Sequence, residues 1–554
     1  MQYILISFAA LVVTVFITPY FIELFSKIKI VDLPDGKRKV HTSPKPRMGG
    51  IIIFMVVISF LFIFYGDLNS IKFFMFGCVI IIALGTYDDL FSAGWLLKFL
   101  YQSVAAVCLL IYVLPQFPTL KFFGFILQPI PAAMLLFFFI VGTINAFNLL
   151  DGLDGLASGI SLLVSVLLFF LGLNSMNIFL LILLSSLIGC LTGFLKYNAY
   201  PARIFLGDSG SLILGYLVTS SVLLLSIRHI THALDLTFAT ILLAVPIADT
   251  VKVMSQRILH GKHPFLADKS HIHHIVFSKN IRHKTTVFII TIYSLLFAAN
   301  AIYYRFYSEI NGLIIFVLLL IPLIFANRIL NFIINSEQLL MYGRAINRFP
   351  QNLINYYKVG VVPAVAVFVL FSFIFLLAAG KIVSAEFLVP SVIILCLLLL
   401  FTIINYRKSK IFTDIIVFFN ILLFFIINQS NTVLYKDISD LPIVGNLNFH
   451  LLIIAVLFPV VGFFLFFRDR IQQNRDMLFT GLDLVIVLTI VLLSISSNLI
   501  PIARSYIITD TIFRSFLIYI FYKIMIQIQP KFRLSLYAFS FLTVLLSQTI
   551  LLIS

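Results

Sequence analysis

The chain has 554 residues, 61% of them hydrophobic and 11% charged, with a formal net charge of +16. A soluble core cannot absorb that much apolar surface, so the composition specifies a polytopic membrane protein and excludes a soluble enzyme. The positive charge sits in short segments between apolar runs, with no soluble basic domain to serve a nucleic-acid partner.

A membrane-spanning helix needs roughly 20 mostly apolar residues. On that measure about eighteen helices are predicted, centred near residues 14, 57, 79, 105, 139, 163, 186, 215, 244, 295, 319, 369, 394, 420, 458, 492, 518 and 543. The first apolar run has no small-residue cleavage site after it and reads as a retained span. With the N-terminus outside, the inner loops hold 30 of the 38 Lys and Arg residues, the asymmetry that sets orientation in the bilayer. The four cysteines, Cys78, Cys108, Cys190 and Cys396, lie singly in apolar segments, which suits neither a disulfide framework nor a zinc site.

Five inner segments carry unusual chemistry. "DGKRKVHTSPKPRMGG" (Asp35–Gly50) gathers Lys37, Arg38, Lys39, Lys45 and Arg47 before a span, with Pro44, Pro46, Gly49 and Gly50 shaping the entrance of the helix. The lysines also fit ordinary positive-inside decoration. "GTYDDLFSAGWLLKFLYQ" (Gly85–Gln102) holds adjacent Asp88 and Asp89, which on a helix point about 100° apart, and Lys98, which could reach back to them. A pair of solvated carboxylates at a helix end is the plainer alternative.

"NAFNLLDGLDGLASG" (Asn145–Gly159) places Asn145, Asn148, Asp151 and Asp154 between two apolar runs. Asp151 and Asp154 share a face if that turn is helical. Gly152 and Gly155 let backbone approach a ligand closely. "ARIFLGDSGSLILGY" (Ala202–Tyr216) sets Asp208 at the start of a span, as an N-cap or as a ligand for a hard cation such as Mg²⁺. "PIADTVKVMSQRILHGKHPFLADKSHIHH" (Pro246–His274) carries Asp249, Lys252 and Arg257, then His260, His263, Asp268, His271, His273 and His274. Zinc spacing competes as an explanation of the histidines, but carboxylates dominate the other four segments. Carboxylates for a magnesium ion, beside Lys, Arg and His for anionic oxygens, fit phosphoryl transfer to or from a lipid.

In this order, "RKVHTSPKPRMGG", "YDDL", "NAFNLLDGLDG", "FLGDSGS" and "GKHPFLADKSHIHH" resemble the polyprenyl-phosphate N-acetylhexosamine-1-phosphate transferases of glycosyltransferase family 4, over roughly residues 1–325. The form of the last motif looks closer to the undecaprenyl-phosphate N-acetylglucosamine-1-phosphate branch than to the peptidoglycan translocase. The resemblance implies a bacterial inner-membrane enzyme with its site facing the cytoplasm. Polyprenyl (undecaprenyl) phosphate would attack the β-phosphate of a UDP-N-acetylhexosamine and release UMP, starting a cell-envelope glycan. It implies Mg²⁺, with Mn²⁺ as the alternative ion, held by Asp208 with Asp151. Asp88, Asp89, Asp208, His271, His273 and His274 are the implied catalytic set. Arg47, Lys98, Asn145, Asn148, Asp151, Gly152, Leu153, Asp154, Phe205 and Arg257 are the implied substrate-binding set, with Gly152, Leu153 and Asp154 lining a uridine pocket and Phe205 stacking on the base. A homodimer is one option for the assembly.

The expected architecture is an all-α polytopic membrane protein. A transferase bundle of about eleven helices (residues 1–327) is followed by a basic cytoplasmic linker (328–358) and about seven further spans (359–554) of unassigned role. Two rival classes stay open. A transporter or flippase would place its polar residues mid-span at broken helices rather than on inner loops. A non-catalytic scaffold would be expected to have lost part of the acidic set.

Overall fold

The computed structural model describes residues 2–32, 44–173, 175, 177–228, 233–261, 271–279, 281, 283–334, 350–378, 417, 420–421, 424, 456–457, 459–461, 464, 507–529 and 533–553. They fall into two compact units, the first built from the helices between Gln2 and Ile334 and the second from those beginning at Gln351. The all-α membrane architecture expected from composition is what is observed. Among the described residues, eight helices are long and apolar enough to cross a bilayer, and two sharply bent pairs add up to two more.

The first unit contains α1 (Gln2–Lys27), α2 (Gly49–Phe64), α3 (Lys72–Phe91), α4 (Trp95–Val113), α5 (Pro129–Leu150), α6 (Leu156–Gly172), α7 (Ile178–Asn198) and α8 (Gly207–Ser226). There follow α9 (Leu236–Leu242), α10 (Ala244–Leu259), α11 (Ile272–Phe277), α12 (His283–Phe306), α13 (Glu309–Ile324) and α14 (Ala326–Ile334). All eleven predicted centres up to residue 319 lie on or between these helices, the centre at 244 falling at the joint of α9 and α10. Helix is the form that satisfies every backbone N–H and C=O within one apolar segment.

Close packing in this unit rests on small residues, because neighbouring helices gain no hydrophobic advantage over lipid. Gly189 and Gly193 on α7 sit against Ser7, Leu11 and Thr14 of α1, and a Cβ at Gly189 would overlap the Ser7 carbonyl oxygen. Buried hydroxyls fold back onto their own helices, as Thr14 does to the Ala10 carbonyl at 2.8 Å. Helix α8 lies at the centre, buried along its length and packed against α2, α3, α5 and α6. Tyr216 donates to the Phe74 carbonyl at 3.2 Å, and Thr219 to Thr143 at 2.9 Å, pinning α8 to α3 and α5.

The span centred near 244 is not one straight helix. α9 and α10 meet at 84° about Leu243. Pro246 supplies the cause, since it lacks the N–H that a continuous helix would donate to the carbonyl of Leu242 and its ring crowds that carbonyl. α13 and α14 meet at 69° in a second broken segment.

At the end of the unit away from the five motifs lies a three-stranded sheet that composition did not suggest. β1 (Val31–Asp32) and β2 (Lys45–Pro46) form a short ribbon elsewhere, while β3 (Thr119–Phe122) stands between β4 (Phe125–Leu127) and β5 (Ala233–Asp235). β3 pairs antiparallel with β4 and parallel with β5, Leu120 opposite Leu127 and Leu234. A charged clasp fastens this sheet to the helices. Arg228 reaches Asp235 at 2.5 Å and Glu309 at 3.0 Å, and Glu309 also holds Lys121 at 2.5 Å. Asp235 caps α9 through Phe238 N–H and accepts from Tyr304, both at 3.3 Å.

In the second unit, Gln351–Tyr356 continues through one π-turn (Tyr357–Val361) into Val362–Ala378, and Ile507–Ile528 and Arg533–Ile553 are helical. The predicted centres at 369, 518 and 543 lie in these helices, and residue 420 is itself helical. The centres at 394, 458 and 492 lie outside the described residues. Polar groups hold this unit as well, with Tyr357 donating to the Val460 carbonyl at 2.7 Å and Asn420 to Ser540 at 3.1 Å.

Candidate functional site

The site grows from the N-terminus of α8. The first N–H groups of any helix lack intrahelical acceptors and carry partial positive charge. Here Asp89, in the last turn of α3, accepts from Asp208 N–H and Ser209 N–H at 3.0 Å each. It is 1% exposed and serves as a cap supplied by another helix. The turn before α8 depends on Gly207, whose φ of 72° is left-handed and whose Cβ would stand 2.7 Å from Asp89 Oδ2.

α2 presses on the same point. Gly49 and Gly50 donate to the carbonyls of Phe205 and Leu206 at 3.1 and 3.2 Å, and Phe205 N–H donates to Pro46 at 2.8 Å. A side chain at Gly50 or Gly85 would overlap the backbone of Ser209 and Gly210. Beside this joint Arg47 keeps a buried Nε with no hydrogen-bond partner among the described residues. Lys37, Arg38 and Lys39 lie outside the described residues, as do His263 and Asp268.

Asp208 points to α5, where the Asn148 amide makes a very short hydrogen bond to its Oδ1 and a second one of 2.9 Å to Ser211. Asn145 lies one turn earlier on α5, half-buried. Asp88 is buried, accepts from Ala93 N–H at 2.7 Å and forms an ion pair with Lys98 from α4.

The turn carrying Asp151 and Asp154 is not helical, so the two do not share a helix face. α5 stops at Leu150, α6 begins at Leu156, and Gly155 between them has φ 76°. Asp154 accepts from Ala202 N–H at 2.9 Å and thereby holds the loop that leads to Asp208. Its own N–H donates to His283 Nε2 at 3.2 Å, and the His283 ring stacks on Tyr200 at 4.5 Å. Asp151 faces the acidic group instead. Burial, then the charges of Asp208, Asp89 and Asp154, push its carboxyl well above the usual range, although its side chain retains some solvent contact. Leu153 is buried in the core.

The histidine segment closes over this turn. A Cβ at Gly152 would overlap His273 Nε2, so only glycine permits the approach. Burial, and after it His274 and His271, pull the His273 pKa down to about 3, which keeps that ring neutral. His273 lies 4.2 Å from His274 and stacks on His271 at 5.9 Å. Asp249 of α10 holds His271, and Arg257 is buried further along the same helix.

The structure thus brings together Asp88, Asp89, Lys98, Asn148, Asp151 and Asp208, with Gly152 linking them to the histidines. Asp249, noted in the fifth segment, was given no role there, and His283, Tyr200 and Asn198, which takes a 2.6 Å hydrogen bond from Ser158, were not among the predicted site residues. A lone His or Asn at a helix end gives no pattern to read. Among the described residues no three His, Cys, Asp or Glu side chains converge as a closed ligand set. Mg²⁺ needs no closed set, since it takes one or two carboxylates and completes its shell with water and substrate. Asp208 and Asp151 are the two side chains here that could hold such an ion.

A family model described as glycosyl transferase family 4 matches residues 71–226, a stretch that contains Asp88, Asp89, Asp151 and Asp208. The probable undecaprenyl-phosphate N-acetylglucosaminyl 1-phosphate transferase of Bacillus subtilis is 35% identical over 309 residues, 54% of this chain and 84% of that protein. The undecaprenyl-phosphate alpha-N-acetylglucosaminyl 1-phosphate transferase of Thermotoga maritima is 34% identical over 299 residues, 53% of this chain and 89% of its own length. The phospho-N-acetylmuramoyl-pentapeptide-transferase of Clostridium acetobutylicum is 34% identical over 226 residues, 38% of this chain and 71% of that protein. With relatives this similar matched over most of their length, the chain belongs to glycosyl transferase family 4.

Proposed function

We propose that the protein transfers an N-acetylhexosamine-1-phosphate from a UDP-sugar to polyprenyl phosphate at the cytoplasmic face of the bacterial inner membrane. The observation that carries this reading is the acidic group around the capped end of α8, which faces Lys98 and lies beneath the histidine segment. In the reaction an oxygen of the lipid phosphate bonds to the β-phosphorus of the donor. The bond from that phosphorus to the bridging oxygen breaks, UMP leaves, and the lipid carries a diphosphate-linked sugar.

A phosphate monoester has a second pKa of about 6, so the nucleophile is largely dianionic at neutral pH. The main task is to bring two anions together. Mg²⁺ bound by Asp208 and Asp151 would supply charge neutralisation for the diphosphate. Lys98, fixed by Asp88, and Arg47 and Arg257 add fixed positive charge. Asp88 already holds Lys98 and the Ala93 N–H, which favours positioning over a role as free base. Asp154 shapes the nucleotide pocket through the loop it holds, and Gly152 lets the histidine segment close over that turn. The activity belongs to residues 1–327 in this reading.

The test is lipid-dependent UMP release by purified protein given undecaprenyl phosphate, Mg²⁺ and UDP-N-acetylglucosamine, with other UDP-amino sugars in parallel. Release that requires the lipid and disappears in Asp208→Asn supports the transferase. Folded protein that releases no UMP with any donor refutes it.

A further inference from the structure

Asp249 is a buried carboxylate that stands outside the acidic group, beside the histidine segment. It is 3% exposed and faces His271, itself 4% exposed. Oδ2 meets His271 Nδ1 at 2.9 Å, and Oδ1 accepts Ile272 N–H, the first N–H of α11, at 2.8 Å. Against a carboxylate, Nδ1 is the protonated nitrogen, because two acceptors facing each other repel. The tautomer is thereby fixed and Nε2 is left for other partners. One residue beyond Ile272, the His273 ring lies parallel to His271, tilted by 9°, and rests on Gly152.

We propose that Asp249 is a positioning residue for the transfer, acting through His271. It sets which ring nitrogen of His271 can meet substrate, and by also taking the first N–H of α11 it holds that ring in place. This rests on the transferase reading above. The carboxylate is required because it accepts from both N–H groups at once. An amide at the same place has one accepting oxygen, so it either loses the Ile272 N–H or presents its NH₂ to Nδ1 and reverses the tautomer.

The experiment is a cycle of wild type, Asp249→Asn, His271→Gln and the double variant, assayed for lipid-dependent UMP release with UDP-N-acetylglucosamine. Asp249→Ser runs in parallel, because its shorter side chain cannot accept from both N–H groups. Outer-shell partners of this kind are worth about 10–100-fold. The expected result is a kcat lower by about that factor in Asp249→Asn and Asp249→Ser, with KM for the donor within about threefold. In the His271→Gln background, Asp249→Asn should cost less than about twofold more, since the residue it works through is gone.

The full loss recurring in the His271→Gln background would overturn the proposal, as would a wild-type kcat in Asp249→Ser. A donor KM raised in proportion to the lost rate would also overturn it and leave Asp249 as a structural cap. Absence of UMP release from the wild type would instead remove the transferase reading, and this inference with it.

Discussion

The two ends of the first unit handle charge in opposite ways. At the sheet end, Arg228, Asp235, Glu309 and Lys121 answer one another, and Asp235 also takes an N–H and a hydroxyl. At the α8 end, among the described residues, Asp88, Asp89, Asp151 and Asp208 gather around one ion pair, that of Asp88 with Lys98, with Arg47 beside them, and burial, then the neighbouring carboxylates, drive Asp151 toward its protonated form. A fold fastens itself with charges whose partners are built in, since a buried charge left alone costs several kcal/mol. An excess of one sign is kept where an outside ion or substrate will complete it.

The largest effect is expected at the uncompensated end. Asp208→Asn should lower lipid-dependent UMP release by roughly 10³-fold or more, by removing a proposed ligand of the ion that would neutralise the developing charge. The melting temperature should hold or rise, because a like charge has been taken from the group. A clear fall in melting temperature would mean that Asp208 is scaffold. The compensated end should answer in reverse. Asp235→Ala leaves Arg228 with Glu309 alone and removes the cap of α9, and should cost about 1–3 kcal/mol in stability. Turnover per folded molecule should stay near wild type, and a loss of turnover with an unchanged melt would break the distinction.

Gly207→Ala probes the joint between the two roles. A left-handed φ in a non-glycine residue costs about 1–3 kcal/mol, and the new methyl would also push on Asp89. Both stability and rate should fall. A smaller effect is expected from pH. The folded state raises the Asp151 pKa, so its contribution to stability is complete below the unfolded value of about 3.9 and declines as pH rises through the folded one. Mg²⁺ should restore that loss, so its stabilising shift in a thermal melt should grow as the pH is raised from the acid side. Equal shifts would take Asp151 out of the ion's shell. The least change is expected on ending the chain after Asn335, which retains α14. UMP release should persist, and its complete loss in folded protein would tie the second unit to the chemistry.

How much of this was legible depends on whether the signal is periodic or local. Apolar runs announced the eleven helical segments of the first unit, and the clustering of polar residues on inner loops announced the end at which they meet. Lys98 sits close enough in sequence to Asp88 for their contact to be expected. Adjacent Asp88 and Asp89 read alike, yet one holds a lysine and the other caps α8, because helix geometry turns them apart and only the fold supplies the partner. Asp151 and Asp154 would share a face only in a helical turn, and Gly152 and Gly155 interrupt one. Pro246 carried the signal for the 84° bend and went unread among the polar residues that follow it. The sheet was invisible because strands of three or four residues show no alternation to recognise.

The seat of His273 on Gly152 has a consequence for how such a sequence can change over time. Any side chain at 152 must first wait for a smaller residue at 273, and a smaller residue at 273 leaves a void where a buried ring had been. Either order passes through a less fit intermediate. The two positions are therefore expected to be inherited as a pair, each fixing what the other can become.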